Sequence, residues 1–328
     1  GGAHGGAHAG GFSSPLLSHA LVVAHDASVG YWAGDVDASV DPDLGHSLNE
    51  LDYLSPARRH QLLLGELLGV FKVEGTLGLA RLSVDAKKIC TIARPDTPVF
   101  RDQMKYVRGY ADLRTDRHAE IMIQQDDILS DFGAIVHLNA SRRKYTVELL
   151  GLVQALCVYL EMQIKHLCRA PRPVDYDARV QPMIQTPDHS TYPSGHAIEA
   201  FAIAGILNAL SAHAGAPTAL LDHRALRISA NRVVAGVHFP IDNAAGAILG
   251  RQIARAVLAL SDGSAMSDAQ FGTKGGVMLD GGADLTVAWL RGLTPPTATH
   301  TAPKLGRIAA LMDQAKREWP PQQTGGAD

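Results

Sequence analysis

Residues 165–173 read KHLCRAPRP, residues 193–196 read PSGH, and residues 232–242 read RVVAGVHFPID. As spacings these are K-x6-R-P, P-S-G-H and R-x5-H-x3-D. The patterned positions gather one Lys, two Arg, a Ser-Gly pair, two His and one Asp. That set can hold a tetrahedral oxyanion and act on its central atom. No segment would say so alone; their order and internal spacing do.

Lys165, Arg172 and Arg232 are three cations suited to one multiply charged anion. Arg offers a planar fork and Lys a point charge. A hydrogen bond to a charged group is worth about 1.5–3 kcal/mol, so three would bind phosphate or a phosphate mimic tightly. Taken singly, each reads as solvated surface charge. Pro171 and Pro173 flank Arg172 and stiffen the loop that presents it.

Pro193-Ser194-Gly195-His196 precedes AIEAFAIAGIL and reads as a helix N-terminus. Backbone N–H groups of Ser194 and Gly195 would face an anion there, aided by the helix dipole. Ser194 adds a hydroxyl, and His196 would stand at the same end as acid or base. A plain Ser N-cap explains Ser194 equally well, but not His196. In the last segment Asp242 follows His238 by four residues and can reach its ring N–H. That contact would fix the tautomer and leave the other nitrogen a lone pair. A buried His beside a helix-capping Asp fits the same residues.

Outward from these segments, helical signals dominate. Pro56–Val70 follows Ser55 as N-cap. Further helices are expected over 106–128, 145–167, 196–211, 225–234 and 242–260. Ala244, Ala245, Gly246 and Gly250 would let the last of these pack closely. Residues 304–319 place Leu305, Ile308, Met312, Ala315 and Trp319 on one face, for the core or for another subunit. Ala200–Leu221 reads as a buried helix followed by a loop. Strand signals such as Leu21–Ala24 are few and short, and no repeat is visible. Pro and Gly cluster at 168–193, 262–284 and 294–303. The expectation is an all-α helical bundle with long functional loops. Its single domain would run from 16 to 328, with an active-site core over 145–260 and a flexible Gly/Ala/His tail over 1–15.

Composition excludes several classes. The chain has 328 residues, 46% hydrophobic and 19% charged, enough for a large core. A net charge of −3 gives no basic bias toward nucleic acid, so an anion site must be local. Cys90, Cys157 and Cys168 are too sparse for a disulfide framework. Cys157 reads as a core thiol, and Cys168 lies inside the first segment, where a functional role is open. His4 and His8 sit in the tail. The opening GGAHGGAHAGGFSSP lacks the basic and apolar regions of a signal peptide, leaving the compartment open between cytoplasm and export. The most apolar helical run, Leu149–Leu160, is shorter than the roughly 20 residues a bilayer needs, so no membrane span is expected.

The three segments resemble the signature of the type 2 phosphatidic acid phosphatase superfamily. That superfamily includes soluble acid phosphatases, membrane lipid phosphatases and vanadium-dependent haloperoxidases. All three parts stand in order over residues 165–242. Asn231 departs from the pattern, which has Ser before the second Arg; that position is not an anion ligand. The resemblance implies a helical bundle of the acid phosphatase/vanadium haloperoxidase type. It also implies that Lys165, Arg172, Ser194, Gly195 and Arg232 bind the anion's oxygens. His238 would bond to the central atom, phosphorus or vanadium, with Asp242 orienting it and His196 as acid/base opposite. Vanadate is the implied cofactor, and phosphate can occupy the same place.

The segment TPDHSTYPSGHAIEAF followed by RVVAGVHFPIDN is similar to bacterial haloperoxidase-like members. His189, five residues before Ser194, stands where algal bromoperoxidases carry a His and fungal chloroperoxidases an aromatic residue. It would serve proton transfer or halide binding, or be a loop His bonded to backbone. The partners expected on this branch are hydrogen peroxide, bromide or iodide, a small organic substrate and a second copy of the chain. Two alternatives stand beside it. One is a soluble phosphomonoesterase acting through a phosphohistidine at His238. The other is a non-catalytic oxyanion-binding protein.

Overall fold

Two compact units, residues 1–46 and 47–328, make up the chain in the computed structural model. The structure describes residues 14–29, 43–215, 217–274, 276–279, 283–293 and 296–321. Most of the Gly/Ala/His tail, with His4 and His8, lies outside the described residues. In the first unit, α1 (Pro15–Ser28) is capped by Ser14, whose Oγ accepts from Leu17 N at 3.0 Å. Leu21–Ala24, which resembled a strand, is helical within it. The unit boundary falls at 46/47, whereas the sequence suggested a domain beginning at 16.

The second unit opens with α2 (Pro56–Val70), β1 (Phe71–Thr76), β2 (Leu79–Val84), β3 (Lys87–Ala93) and α3 (Thr97–Tyr110). It continues with α4 (Arg114–Ile123), α5 (Leu129–Val136), α6 (Lys144–Cys168), the single turn α7 (Pro173–Tyr176), α8 (Gly195–Ser211), α9 (Thr218–Val234) and α10 (Pro240–Asp262). β4 (Ala265–Ser267), β5 (Ala269–Phe271), α11 (Val287–Gly292), β6 (Ala298–Thr301) and α12 (Gly306–Arg317) complete it. The fold is predominantly helical, as expected.

Several boundaries differ from the sequence reading. The helix expected over 106–128 is three pieces, because a tight turn at 111–113 redirects the chain between α3 and α4 and α4 ends at Ile123. α9 begins at Thr218, so part of the expected loop before 225 is helical. Ser55 precedes α2, but its side chain makes no capping bond; its backbone oxygen accepts from Arg58 and Arg59 instead.

A four-stranded sheet in the order β1-β2-β3-β5 was not foreseen. β1, β2 and β3 pair antiparallel, and β5 joins β3 in parallel with Cys90 opposite Ala269. Inward residues alternate along β2, burying Ala80, Leu82 and Val84. The β2–β3 turn places Asp85 and Ala86 at φ 47° and 59°. Both are left-handed positions that usually recruit Asn or Gly, so the sequence carries no turn signal there. β4 and β6 pair separately.

α6 is the axis of the bundle. It packs on α8, α12, α2 and the sheet, burying Leu149, Leu150, Val153, Leu156, Leu160 and Ile164. Each such side chain contributes about 1.5–3 kcal/mol. With α7 it is the one stretch among the described residues long and apolar enough to cross a membrane, and half of that window is buried inside the protein. The helix outruns the 149–160 run because Tyr145–Glu148 and Glu161–Lys165 extend it. α8 and α10 touch backbone to backbone: a Cβ on Gly250 would stand 2.2 Å from the Ile198 oxygen. The apolar face of 304–319 packs into the core, with Ile308, Met312, Ala315 and Trp319 buried.

Candidate active site

Four elements meet where the three segments converge. Lys165 lies in the last turn of α6, and Arg172 just beyond it before α7. Ser194, Gly195 and His196 head α8, Arg232 ends α9, and His238 and Asp242 enter α10. Lys165, Arg172 and Arg232 are all buried, at 1%, 4% and 1% exposure. They are therefore not surface charges.

Backbone and side-chain oxygens hold the cations in place. Lys165 Nζ donates to the Ser190 oxygen at 3.0 Å. Arg172 donates through Nε to the His189 oxygen at 3.1 Å and through one terminal nitrogen to the Val237 oxygen at 2.8 Å. Arg232 donates to Gln124 Oε1 at 3.2 Å. Burial lowers Lys165 to about 8 and Arg232 to about 10.

The two histidines have defined tautomers. Asp242 Oδ2 lies 3.0 Å from His238 Nδ1 and accepts its proton. Nε2 thus keeps a lone pair, and an Arg172 terminal nitrogen donates to it at 3.2 Å. The same Asp242 oxygen accepts from Thr191 Oγ1 at 2.5 Å and from Phe239 N at 2.9 Å. Asp242 therefore both caps α10 and orients His238. Burial, then the Arg172 charge, pushes His238 well below its ordinary value. His196 Nε2 lies 2.7 Å from the Gln124 backbone oxygen and donates to it. Its longer 3.4 Å contact with Arg232 leaves that tautomer unchanged. Burial, then Arg232, lowers His196 to about 3, so its ring is neutral.

Four buried polar atoms here lack a partner among the described residues: Ser194 Oγ, Arg232 Nε, Asp242 Oδ1 and Glu161 Oε2. Two of them are donors that need an acceptor. Ser194 heads α8 without capping it, so its hydroxyl stays available to an anion. Its backbone N–H is not available, because it donates to the Asp242 oxygen at 3.0 Å; here the sequence expectation needs correcting. Among the described residues no group of three or more His, Cys, Asp or Glu side chains is set to hold a metal ion. The residues present suit a tetrahedral oxyanion, phosphate or vanadate, held by one imidazole and a ring of donors.

His189 is half-buried, and Arg172 donates to its Nδ1 at 3.2 Å. It lines an open cleft of about 920 Å³ together with Lys165, Arg172, Asp175, Asp188 and Ser190. Burial, then Lys165, lowers its proton affinity. Cys168 is fully buried, its thiol pushed up to about 12 by that burial, and is an inert core group. Cys157 is likewise buried.

Sequence reasoning missed several contributors. Gln124 is buried and offers its backbone to His196 and its side chain to Arg232. Asn231, where the pattern has Ser, donates to Gln124 Oε1 at 2.9 Å and to Glu120 at 3.0 Å. It ties α9 to α4 and fixes Gln124. Thr191 braces Asp242. Glu161 and Glu199 are buried close by. Glu161 precedes Lys165 by one helical turn, a readable spacing; Gln124 carried no local signal.

Residues 146–264 match the family model of the PAP2 superfamily, from the first turn of α6 to just past α10. That superfamily covers phosphatases and vanadium-dependent haloperoxidases. No curated protein matches the chain.

Proposed function

We propose, for a chain that belongs to the PAP2 superfamily through residues 146–264, that it is a vanadate-dependent haloperoxidase. It oxidises bromide or iodide with hydrogen peroxide and halogenates a small organic substrate. One peroxide, one halide and one proton give hypohalous acid and water.

His238 Nε2 would hold the vanadium. Lys165, Arg172, Arg232, Ser194 Oγ and the Gly195 N–H would hold the oxygens. Vanadate, when bound, supplies a Lewis acid that makes peroxide electrophilic. His196, its Nε2 anchored on the Gln124 backbone oxygen, would serve as the acid/base beside the anion. Asp242 and Thr191 keep His238 in the Nδ1–H tautomer. His189, beside Arg172 on the cleft, is placed for halide or proton traffic.

The observation that carries this reading is His189, a second imidazole held beside Arg172 on the open cleft. Halide or proton traffic at bound peroxide would use it, whereas a phosphohistidine route needs only His238 and His196. The second reading is a phosphomonoesterase, favoured by the His238–Asp242–Thr191 array, which also suits a nucleophilic imidazole.

A paired assay on one preparation separates the two. The expected result is bromide or iodide oxidation that requires orthovanadate and disappears in His238→Ala. Hydrolysis of p-nitrophenyl phosphate inhibited by vanadate, with no halide oxidation, would overturn the proposal.

A further inference from the structure

Two buried carboxyls beside the cradle take no part in these steps. Glu161 lies one turn before Lys165 on α6 and is 7% exposed. Its oxygens stand 2.3 and 2.5 Å from the point where a Cβ on Gly195 would be. The side-chain volume that Gly195 gives up is thus filled by a carboxyl, and its Oε2 has no hydrogen-bond partner among the described residues. Glu199, one turn into α8, is 9% exposed and accepts from Gln154 at 2.8 Å.

The position of Glu161 is what matters. It adjoins the backbone N–H that heads α8, where the oxyanion is held. An ionised carboxylate there would face a dianion across a low-dielectric gap, and the repulsion would be large. A neutral carboxyl would instead have a proton to donate.

The surroundings bear on both forms. Glu161 is faced by Cys157 and Lys165 of its own helix, by Arg172 of the following loop and by Glu199 of α8. Glu199 is faced by Gln154 and Cys157 of α6, by Lys165 and by Arg232 of α9. The cations favour ionised carboxyls. Burial acts against them and prevails: both acids are pushed up, Glu199 to about 8 with Glu161 as its second cause. An arriving anion would engage the same cations and weaken their hold on Glu161.

We propose that Glu161 is a further oxyanion-contacting residue, which takes up one proton from solvent as the anion enters and donates that O–H to an anion oxygen beside Gly195. The inference rests on the oxyanion reading of the site and not on which reaction follows. Its consequence is proton-linked affinity. Where Glu161 is ionised in the free protein and protonated in the complex, binding weakens up to tenfold for each unit of rising pH.

Sulfate is the probe, because its charge is fixed through the neutral range. Calorimetric titration of the full chain in buffers of different ionisation enthalpy counts the protons taken up per sulfate. His196 and Lys165 also gain protons as an anion enters, so the measurement is the difference between wild type and Glu161→Gln. Wild type is expected to take up more protons, by up to one. Glu161→Gln keeps an N–H donor in place and should bind with a flatter pH dependence. Equal proton counts and equal pH slopes would overturn the proposal.

Infrared difference spectra of the wild type keep the test independent of the variant's folding. Sulfate or orthovanadate should bring up the carbonyl stretch of a protonated carboxyl, and its absence on saturation would also overturn the proposal. If the wild type binds neither anion, the oxyanion reading itself falls, and this inference with it.

Discussion

Asp242 concentrates three hydrogen bonds on Oδ2 and none, among the described residues, on Oδ1. Burial raises it to about 6, against the pull of Thr191 and the Phe239 N–H. Below that pH the carboxyl is protonated and loses its hold on the His238 Nδ1–H. Activity should therefore fall as pH drops through about 6. Folding stability moves the other way. The folded carboxyl keeps its proton up to about 6 while the unfolded one releases it near 3.8, so this group's contribution declines as pH rises through that window. Asp242→Asn keeps the shape but presents an amide that cannot be the same acceptor. Vanadate affinity should fall about 10–100-fold, measured by titrating apo-protein.

At the scale of elements, the site depends on how closely α8 and α10 approach. Gly250→Ala would press a methyl group into the Ile198 backbone oxygen, which cannot step aside as a side-chain end can. The expected cost is about 1–3 kcal/mol, read as a lower urea midpoint with an unchanged m-value. This packing was legible in the small residues at 244–246 and 250. The convergence of the three segments was legible too, because helix ends bring their residues together at short spacings: His238 and Asp242 lie one turn apart and touch. The β2–β3 hairpin was not, although β2 alternates Ala80, Leu82 and Val84 toward the core. Asp85–Ala86 turns the chain without glycine, and a strand pattern lacking a turn signal is easily read as loop. Gln124 was illegible for another reason. Its role comes from the long-range contact of α4 with α9, and nothing near it in sequence announces that contact.

Across the whole second unit, α6 is secured at its periphery by polar clamps. Arg59 of α2 pairs with Glu148 through two 2.8 Å bonds, both side chains being nearly buried. Glu318, just past α12, accepts from the Tyr145 and Thr146 N–H groups at 2.8 Å each and so caps α6. Arg143 stacks 3.3 Å over Trp319 at the same end. Arg59→Met would leave Glu148 buried without its fork. The expected loss is about 3–5 kcal/mol, with most of it recovered in the Arg59→Met/Glu148→Leu double variant, as unfolding midpoints would show.

The depth of Lys165, Arg172 and Arg232 has a kinetic corollary. A chain of net charge −3 offers an incoming anion no long-range attraction, and the three cations act only once the anion has entered. Recruitment is then a matter of diffusion and close fit, because the cleft sets Asp175 and Asp188 beside Lys165, Arg169 and Arg172 and so presents no single sign of charge. Dissolved salt screens exposed charges beyond about 8 Å at physiological strength, but it finds little here to screen. A catalyst so arranged should turn over in brine much as it does in dilute buffer.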